Sequence, residues 1–302
     1  TSVSRGLGDV YKRQVLCCTC IGSGHEILDG RRFSQVLIDE ATQATEPSTL
    51  VPIVRGARQV VLVGDHRQLS PTVISRRASD GGLSRTLFER IMDMGVTPHL
   101  LTKQYRMHPA ISEFPNQQFY SGKLEDGVSE SERRAPAGIL WPDWERPVAF
   151  LPVEGGEMTG PDGASKENRV EASWVAKIVG DIIDAGEIEE DGIGIITPYA
   201  AQVRAIRDIL PETLSSIEVK TVDGYQGREK EVIVFSCVRS NSEGRIGFLS
   251  DPRRLNVALT RAKRGLIVIG DPSTLREDEN WSAWLEHARK HNLEAWHIIG
   301  MV

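Results

Sequence analysis

Short runs of apolar, often β-branched residues recur along the chain and alternate with amphipathic stretches. Each run is about four to eight residues long, the length of a strand buried on both faces of a parallel sheet. The predicted strands are 15–19, 35–38, 59–63, 148–153, 193–197, 217–221, 231–238 and 266–270. The predicted helices, several of which begin with a proline or a Ser or Asp cap, are 83–94, 109–120, 166–185, 199–210, 252–261 and 281–291. This alternation predicts an α/β fold with doubly wound parallel sheets.

The alternation breaks once, near residues 96–101, and then starts afresh. We therefore predict the C-terminal part of a first domain at residues 15–99 and a second domain at residues 100–302. Residues 1–14 have neither the apolar centre of a secretion signal nor a regular period, so we interpret them as a non-native or disordered leader joined to a fragment of a longer protein. A frayed natural terminus is the alternative. Two segments are predicted to be surface loops: 128–146 and 154–163.

Composition narrows the class of protein. The 302 residues are 40% hydrophobic and 26% charged, as in ordinary globular proteins, and no apolar run reaches the roughly 18 residues of a membrane span. We therefore expect no membrane partner. The 42 acidic and 36 basic residues leave a net charge of −6, which argues against a broad electrostatic coat on nucleic acid but leaves room for a local basic groove. The few, clustered cysteines (Cys17, Cys18 and Cys20) predict a reducing, cytoplasmic compartment.

Two acidic residues, Asp39 and Glu40, follow the predicted strand 35–38 directly. This position is the carboxyl edge of a parallel sheet, where ligands of open α/β folds bind. One acid there can hold Mg²⁺ while the other orients or deprotonates a water molecule. A solvated strand end is the alternative interpretation of the pair.

The next predicted strand, 59–63, continues into Gly64 and Asp65 and then into Gln68. Neighbouring parallel strands would bring Gln68 beside Glu40, where its side chain can sense the γ-phosphate of a nucleotide. The intervening histidine is better explained as a turn residue than as a base or a ligand.

Arginines of the second predicted domain offer phosphate-binding groups. Arg106 is a permanently charged donor suited to phosphate oxygens, and the adjacent Tyr105 offers a ring for base stacking. The alternative for this pair is an arginine with an ionic partner at a helix start beside a core tyrosine. Arg254 and Arg261 fall seven residues apart on the predicted helix 252–261, for which a solvated basic helix is the alternative.

Five motifs in this order resemble the consecutive motifs of superfamily 1 helicases: DEATQ, GDHRQL, QYRMHP, VDGYQGREKE and NVALTRAK. Longer strings such as DEATQATEP, GDHRQLSP and DGYQGREKEVIVFSCVR most resemble the family of RNA helicases that act in nonsense-mediated mRNA decay, the regulators of nonsense transcripts. The resemblance extends from about residue 15 to the end. It implies two RecA-like domains of the P-loop NTPase helicase core, the first of them incomplete here.

The same resemblance implies an ATP-hydrolysing site that uses ATP and Mg²⁺. In it, Asp39 helps hold Mg²⁺, Glu40 activates the attacking water and Gln68 senses the γ-phosphate. Arg106 and Arg261 are implied to be arginine fingers that reach over from the second domain. The further nucleotide-binding residues implied are Gly64, Asp65, Tyr105, which stacks on adenine, Gly227, and Glu229, which contacts the ribose.

The implied activity is movement 5′ to 3′ on single-stranded RNA, with single-stranded DNA as a possible substrate. Thr19 and Thr221 would lie along the RNA backbone, and nonsense-mediated decay factors would bind regions outside this chain. Three alternatives stay open: a senataxin-like or DNA-directed helicase of the same superfamily, a truncated non-catalytic RNA-binding scaffold, and an ATPase that remodels protein complexes.

One family motif is missing from this sequence. The phosphate-binding loop G-x-x-x-x-G-K-[ST] does not occur, because Gly122-Lys123 is followed by Leu124 and has Gln117 in place of the first glycine. We therefore expect this chain by itself to hydrolyse ATP poorly. Cys17-x-x-Cys20 is interpreted as strand cysteines in an RNA-contacting motif rather than as half of a zinc site, which would need four ligands.

Overall fold

The structure is a computed structural model that describes residues 15–295. Its contacts divide the chain into two compact units. The first unit contains the described residues up to His66 together with Ser70–Pro98, and the second contains Arg67–Leu69 and the chain from His99 onwards. The assignment of each unit to one predicted domain stays a proposal.

The first unit contains a pair of parallel strands with helices beside them. Its strands and helices are β1 (Gln35–Ile38), β2 (Gln59–Leu62), α1 (Glu46–Ile53), α2 (Arg76–Asp80) and α3 (Leu87–Asp93). Ile38 lies opposite Leu62, so both strands end at the same edge. Arg90 of α3 forms an ion pair of 2.7 Å with Glu46 in the first turn of α1, which ties the two helices together.

The second unit is built around a five-stranded parallel sheet. Its strands are β3 (Lys103–Gln104), β4 (Glu125–Asp126), β5 (Val148–Pro152), β6 (Glu157–Thr159), β7 (Lys166–Asn168), β8 (Ile193–Thr197), β9 (Glu218–Thr221), β10 (Lys230–Ser236) and β11 (Ala262–Gly270). Its helices are α4 (Pro109–Tyr120), α5 (Arg169–Asp184), α6 (Ala200–Ile209), α7 (Pro252–Leu259), α8 (Pro272–Leu275) and α9 (Glu279–Lys290). The order of strands in the large sheet is β5, β11, β10, β8, β9, and every pairing in it is parallel.

Successive residues of the strands in this sheet enter two separate hydrophobic clusters, one on each face of the sheet. Phe150 and Phe235 pack with residues of α4, α7 and α9, whereas Leu151 and Val234 pack with residues of α5 and α6. The fully buried Trp281 of α9 stacks on Phe235 with ring centroids 6.0 Å apart. Because successive side chains of a strand point to opposite faces, helices cover both sides. The predicted doubly wound α/β fold is confirmed.

Two predicted elements are wrong. Residues 15–19 are not a strand: they are largely exposed and pair with no other strand among residues 15–295, so their backbone groups lack a ladder. The predicted loop 154–163 contains β6, which pairs antiparallel with β7. For this reason the predicted helix 166–185 begins only at Arg169, where the side chain of Asn168 accepts hydrogen bonds from the first turn.

Helix ends also differ from the prediction. The helix predicted at 83–94 begins at Leu87, because the Thr86 side chain forms a capping box with Glu89. The helix predicted at 252–261 ends at Leu259, and residues from Ala262 onwards belong to β11. Within the part of the chain that the structure describes, no helix is long and apolar enough to cross a bilayer.

Candidate nucleotide-binding site

Asp39 and Glu40, which we call the acid pair, lie directly after β1, with both side chains exposed. Asp39 Oδ1 accepts a hydrogen bond of 3.0 Å from the Glu40 amide, and the Glu40 carboxylate accepts one of 2.6 Å from Gln43. Glu40 has a left-handed backbone with φ of 50°, which costs a residue with a Cβ roughly 1–2 kcal/mol. Strained backbone of this kind clusters at functional sites. The exposed oxygens of Asp39 suit a hard cation such as Mg²⁺ chemically.

Gly64 continues β2 beside the acid pair. The amide of Ala41 donates to the Val63 carbonyl at 2.7 Å, so the two strand ends are joined by a backbone hydrogen bond. A Cβ on Gly64 would come within 3.0 Å of the Thr42 amide nitrogen, which explains the glycine. The Thr42 hydroxyl donates to the Asp65 carbonyl at 3.2 Å. The nucleotide-binding roles of Gly64 and Asp65, and the expected position of Gln68 beside Glu40, stay predictions.

Two of the predicted arginines converge on Thr260 in the second unit. Arg106 Nη1 donates to the Thr260 carbonyl at 3.1 Å, and Arg261 Nη2 donates to the Thr260 hydroxyl at 2.9 Å. Arg261 Nη2 also lies 3.4 Å from Gln68 Oε1, which this unit includes. We call these four residues the Thr260 cluster. It brings together three of the side chains that the motifs predict to handle phosphate.

Arg261 does not share a helix face with Arg254, contrary to the prediction. Because α7 ends at Leu259, Arg261 lies in the connection to β11, where its Nε donates to the Val257 carbonyl at 3.1 Å and only 2% of the residue is exposed. Arg254 instead pairs with Asp223 at 3.2 Å. The alternative of a solvated basic helix is therefore wrong for Arg261.

Arg106 is held from its other side by Glu229. Its Nε lies 2.6 Å from a Glu229 oxygen, and Lys263 lies 3.1 Å from the other oxygen. The hydrogen bond from Arg106 lowers the pKa of Glu229 more than burial raises it. Gly227, two residues earlier, has φ of 74°, a conformation that favours glycine. Gln226 Nε2 is buried without a hydrogen-bond partner among the described residues.

Tyr105 is 63% exposed, so the alternative of a core tyrosine is wrong. One edge of its ring is packed against Gly127, where an added Cβ would lie only 2.5 Å from Tyr105 Cε1. The ionic partner that the same alternative expected for Arg106 is present. An exposed ring, next in sequence to Arg106, suits base stacking. Gly127 was missed in the sequence analysis, although the dipeptide Asp126-Gly127 is a local turn signal.

The two threonines assigned to RNA occupy turns. Thr19 is exposed, and its hydroxyl accepts a hydrogen bond of 2.9 Å from the Gly22 amide. Thr221 ends β9, and its hydroxyl accepts one of 3.3 Å from the Gly224 amide. Their contacts with RNA stay predictions.

The interpretation of the cysteines needs two corrections. Cys17 and Cys20 are free thiols and do not lie on a strand, and Cys17 is exposed. The rejection of a zinc site also did not consider a second pair of metal-binding residue types in the sequence, His287 and His291, spaced H-x-x-x-H.

A buried polar network behind β10 was also missed. Glu171 of α5 is fully buried, and its carboxyl group accepts hydrogen bonds from the Ser236 hydroxyl at 2.6 Å and the Val238 amide at 2.9 Å. Asn168 Nδ2 lies 3.3 Å from the Val238 carbonyl. Together these bonds hold Val238 in a left-handed conformation with φ of 74°. A glutamate in register with Val175 on the apolar stripe of α5 was the available signal.

Comparison with known proteins gives the family of the chain. One AAA domain model matches residues 83–273 and another matches residues 10–76. Regulator of nonsense transcripts 1 homolog of Drosophila melanogaster is 46% identical over 275 residues, which are 89% of this chain and 23% of that protein. ATP-dependent helicase NAM7 of Saccharomyces cerevisiae is 45% identical over 287 residues, 92% of this chain and 29% of that protein. The chain spans about a quarter of the length of the curated relatives it matches.

Solved helicase structures match only weakly. Arterivirus nonstructural protein 10 (helicase) is 16% identical, with a TM-score of 0.43 over 84% of this chain and 42% of that chain, and this likeness is too low to carry an argument. The sequence relatives are stronger, and they confirm the motif resemblance to the regulators of nonsense transcripts, at 45–48% identity over about nine-tenths of the chain. Because a family model matches most of its length, residues 83–273, the chain belongs to the AAA domain family.

Proposed function

We propose that this chain is part of an ATP-dependent RNA helicase that moves 5′ to 3′ on single-stranded RNA in nonsense-mediated mRNA decay. The observation that carries the proposal is the Thr260 cluster, in which Arg106 and Arg261 both donate to Thr260 and Arg261 also donates to Gln68. Fixed guanidinium groups at such a point suit the charge of a transferring phosphoryl group. The names of the relatives, regulator of nonsense transcripts and ATP-dependent helicase, support the same class.

In this proposal the residues of the second unit bind and sense the nucleotide. Tyr105 offers its exposed ring to the adenine, and Glu229 accepts from the ribose hydroxyls. Arg106 then exchanges its carboxylate partner for phosphate oxygens. Arg261 is buried and already oriented by Val257 and Thr260, so it pays little entropy to reach a phosphate.

The acid pair of the first unit supplies the hydrolytic groups. Asp39 would hold Mg²⁺, and Glu40 would orient and deprotonate the attacking water. Bound ATP and Mg²⁺ supply the phosphoanhydride and the neutralising charge for this chemistry. The left-handed backbone at Glu40 sets the direction of its side chain.

RNA binding in this proposal depends on phosphate and sugar contacts, including those of Thr19 and Thr221. Such binding tolerates many sequences and weakens steeply as salt rises. The expected site of action is the cytoplasm, where nonsense-mediated decay factors would bind regions outside this chain.

The test is RNA-stimulated ATP hydrolysis by the full-length protein, because this sequence lacks the phosphate-binding loop. Arg261→Ala is expected to lower turnover on the order of 10³-fold, as for other arginine fingers. Arg264→Ala is the matched control: Arg264 lies three residues on but pairs with Glu187 instead, so turnover should stay near the parent value. Glu40→Gln should abolish turnover and leave RNA binding intact.

Two outcomes would contradict the proposal in different ways. If the Arg261→Ala protein turns over ATP at the parent rate, Arg261 is not an arginine finger. A full-length protein that binds RNA without any ATPase activity favours the alternative of a non-catalytic RNA-binding scaffold. ATP hydrolysis that RNA does not stimulate favours the remodelling ATPase.

A further inference from the structure

Two histidines stand one turn apart on α9, far along the chain from the Thr260 cluster. His287 lies in the last turn of α9, and His291 follows at its C-cap. Their ring centroids are 4.5 Å apart with an interplanar angle of 48°. Positions i and i+4 of a helix lie on one face, which is how paired histidines commonly present nitrogen ligands to one metal ion.

A carboxylate from another helix completes this group. Glu113 lies in α4, and its Oε1 is 3.6 Å from His291 Nε2. One ligand atom from each of Glu113, His287 and His291 can be chosen so that all three lie within 4.8 Å of one another. The three side chains are half-buried, and the ring of Phe114 lies 5.5 Å from that of His287 and forms an apolar wall. Tertiary packing alone brings α4 to α9.

The candidate ligand side chains are positioned by neighbouring residues, but some of their ligand atoms have no hydrogen-bond partner. His291 Nε2 is buried and has no hydrogen-bond partner among the described residues. Arg146 forms an ion pair with Glu113 Oε2 and leaves Oε1 facing the histidines. An outer partner that orients a ligating carboxylate in this way is typical of metal sites. The guanidinium also opposes a nearby cation, so it limits affinity while it fixes geometry.

We propose that Glu113, His287 and His291 bind one divalent transition-metal ion, with Zn²⁺ as the best match to two imidazoles and one carboxylate. Zinc bonds of about 2.0–2.1 Å place tetrahedral ligand atoms about 3.4 Å apart. The Glu113 to His291 separation of 3.6 Å is already close to that value, and a ligand atom of His287 lies within 4.8 Å of both. Water fills the fourth position. The ion clamps the last helix of the described chain to α4, which begins three residues after Arg106.

The test is calorimetric titration of the whole chain with zinc chloride. Exposed thiols bind zinc by themselves, so the parent for this experiment carries Ser at Cys17, Cys18 and Cys20. We expect one Zn²⁺ per chain, and a loss of affinity of at least about tenfold in His287→Gln and in Glu113→Gln. His99→Gln is the matched control, because His99 is an exposed histidine outside this group. The control should bind like the parent.

A second measurement, on the parent protein, keeps the test conclusive if one of the variants fails to fold. The zinc absorption-edge spectrum of the loaded parent should show scattering from two imidazoles, and zinc should raise the thermal midpoint of the parent but not of Glu113→Gln. The proposal is overturned if the parent takes up no zinc, if the spectrum lacks imidazole ligands, or if His287→Gln binds as tightly as the parent. The last result would mark the zinc as adventitious.

Discussion

Replacement of the buried Glu171 by glutamine should remove a large part of the pH dependence of stability. The carboxyl group is fully buried behind β10. Burial is the main cause that raises its pKa from 4.5 to about 8, and hydrogen bonds from Ser236 and Val238 oppose the rise only in part. Glutamine keeps the shape and can accept from the Val238 amide while its own amide donates to the Ser236 hydroxyl.

The raised pKa of Glu171 determines whether the protein becomes more or less stable as the pH rises. Between pH 4.5 and about 8 the folded chain keeps a proton on Glu171 that the unfolded chain releases. The stability that this group contributes is therefore complete below pH 4.5 and is lost as the pH rises through about 8. One pKa unit corresponds to about 1.4 kcal/mol, so the free energy of unfolding should fall by about 3 kcal/mol between pH 5 and pH 8 because of this residue alone.

The assay is urea unfolding at pH 5, 6, 7 and 8, followed by the fluorescence of the buried Trp281 and Trp284. The Glu171→Gln variant should lack this fall, so the difference in free energy of unfolding between variant and parent should shift in favour of the variant by about 3 kcal/mol from pH 5 to pH 8. Glu157→Gln is the control. Burial raises the pKa of Glu157, but hydrogen bonds from Asn241, Ser240 and Arg239 bring it below the ordinary value. Any pH dependence of stability that Glu157 causes therefore occurs at a lower pH than that of Glu171. Parallel pH curves for the parent and Glu171→Gln would refute the assignment of a protonated buried glutamate.

Two backbone predictions can be tested by thermal or urea unfolding of the same chain. Glu40→Gly removes a Cβ from a left-handed residue and should raise the free energy of unfolding by about 0.5–1 kcal/mol; a loss of stability instead would show that the Glu40 side chain stabilises the fold. Gly227→Ala places a Cβ at φ of 74° in open space and should cost about 1–2 kcal/mol from the backbone alone; no change in the midpoint would contradict the left-handed turn.

Local pattern was enough for much of the sheet. The runs at 35–38 and 193–197 are strands with those bounds, and the helix predicted at 109–120 is α4. Each depends on a continuous apolar run or a proline start, which are properties of a few neighbouring residues. Residues 15–19 are a similar run of mostly apolar residues. A strand also needs a neighbouring strand to bond its backbone groups, and the pattern of one segment does not show whether such a neighbour is present.

The motifs named the arginines, the glutamine and the acids, but not how they are held. Arg261 was placed on a helix because its neighbours have a helical period, whereas the chain leaves α7 at Leu259 to enter β11. The contacts of Arg106 with Glu229 and with Thr260 join residues more than a hundred positions apart. Periodicity describes only neighbours, so such pairs are invisible to it.

The sequence by itself determined the class of fold, several of its strands and helices, and the residue types available for phosphate chemistry, because these depend on local apolar period and on motif order. Only the tertiary structure decided that Glu171 is buried with a proton, that Gln68 lies against Arg261, and that Glu113 faces two histidines of α9. Desolvation and hydrogen bonding depend on what surrounds a side chain, and for these residues the surroundings come from distant parts of the chain.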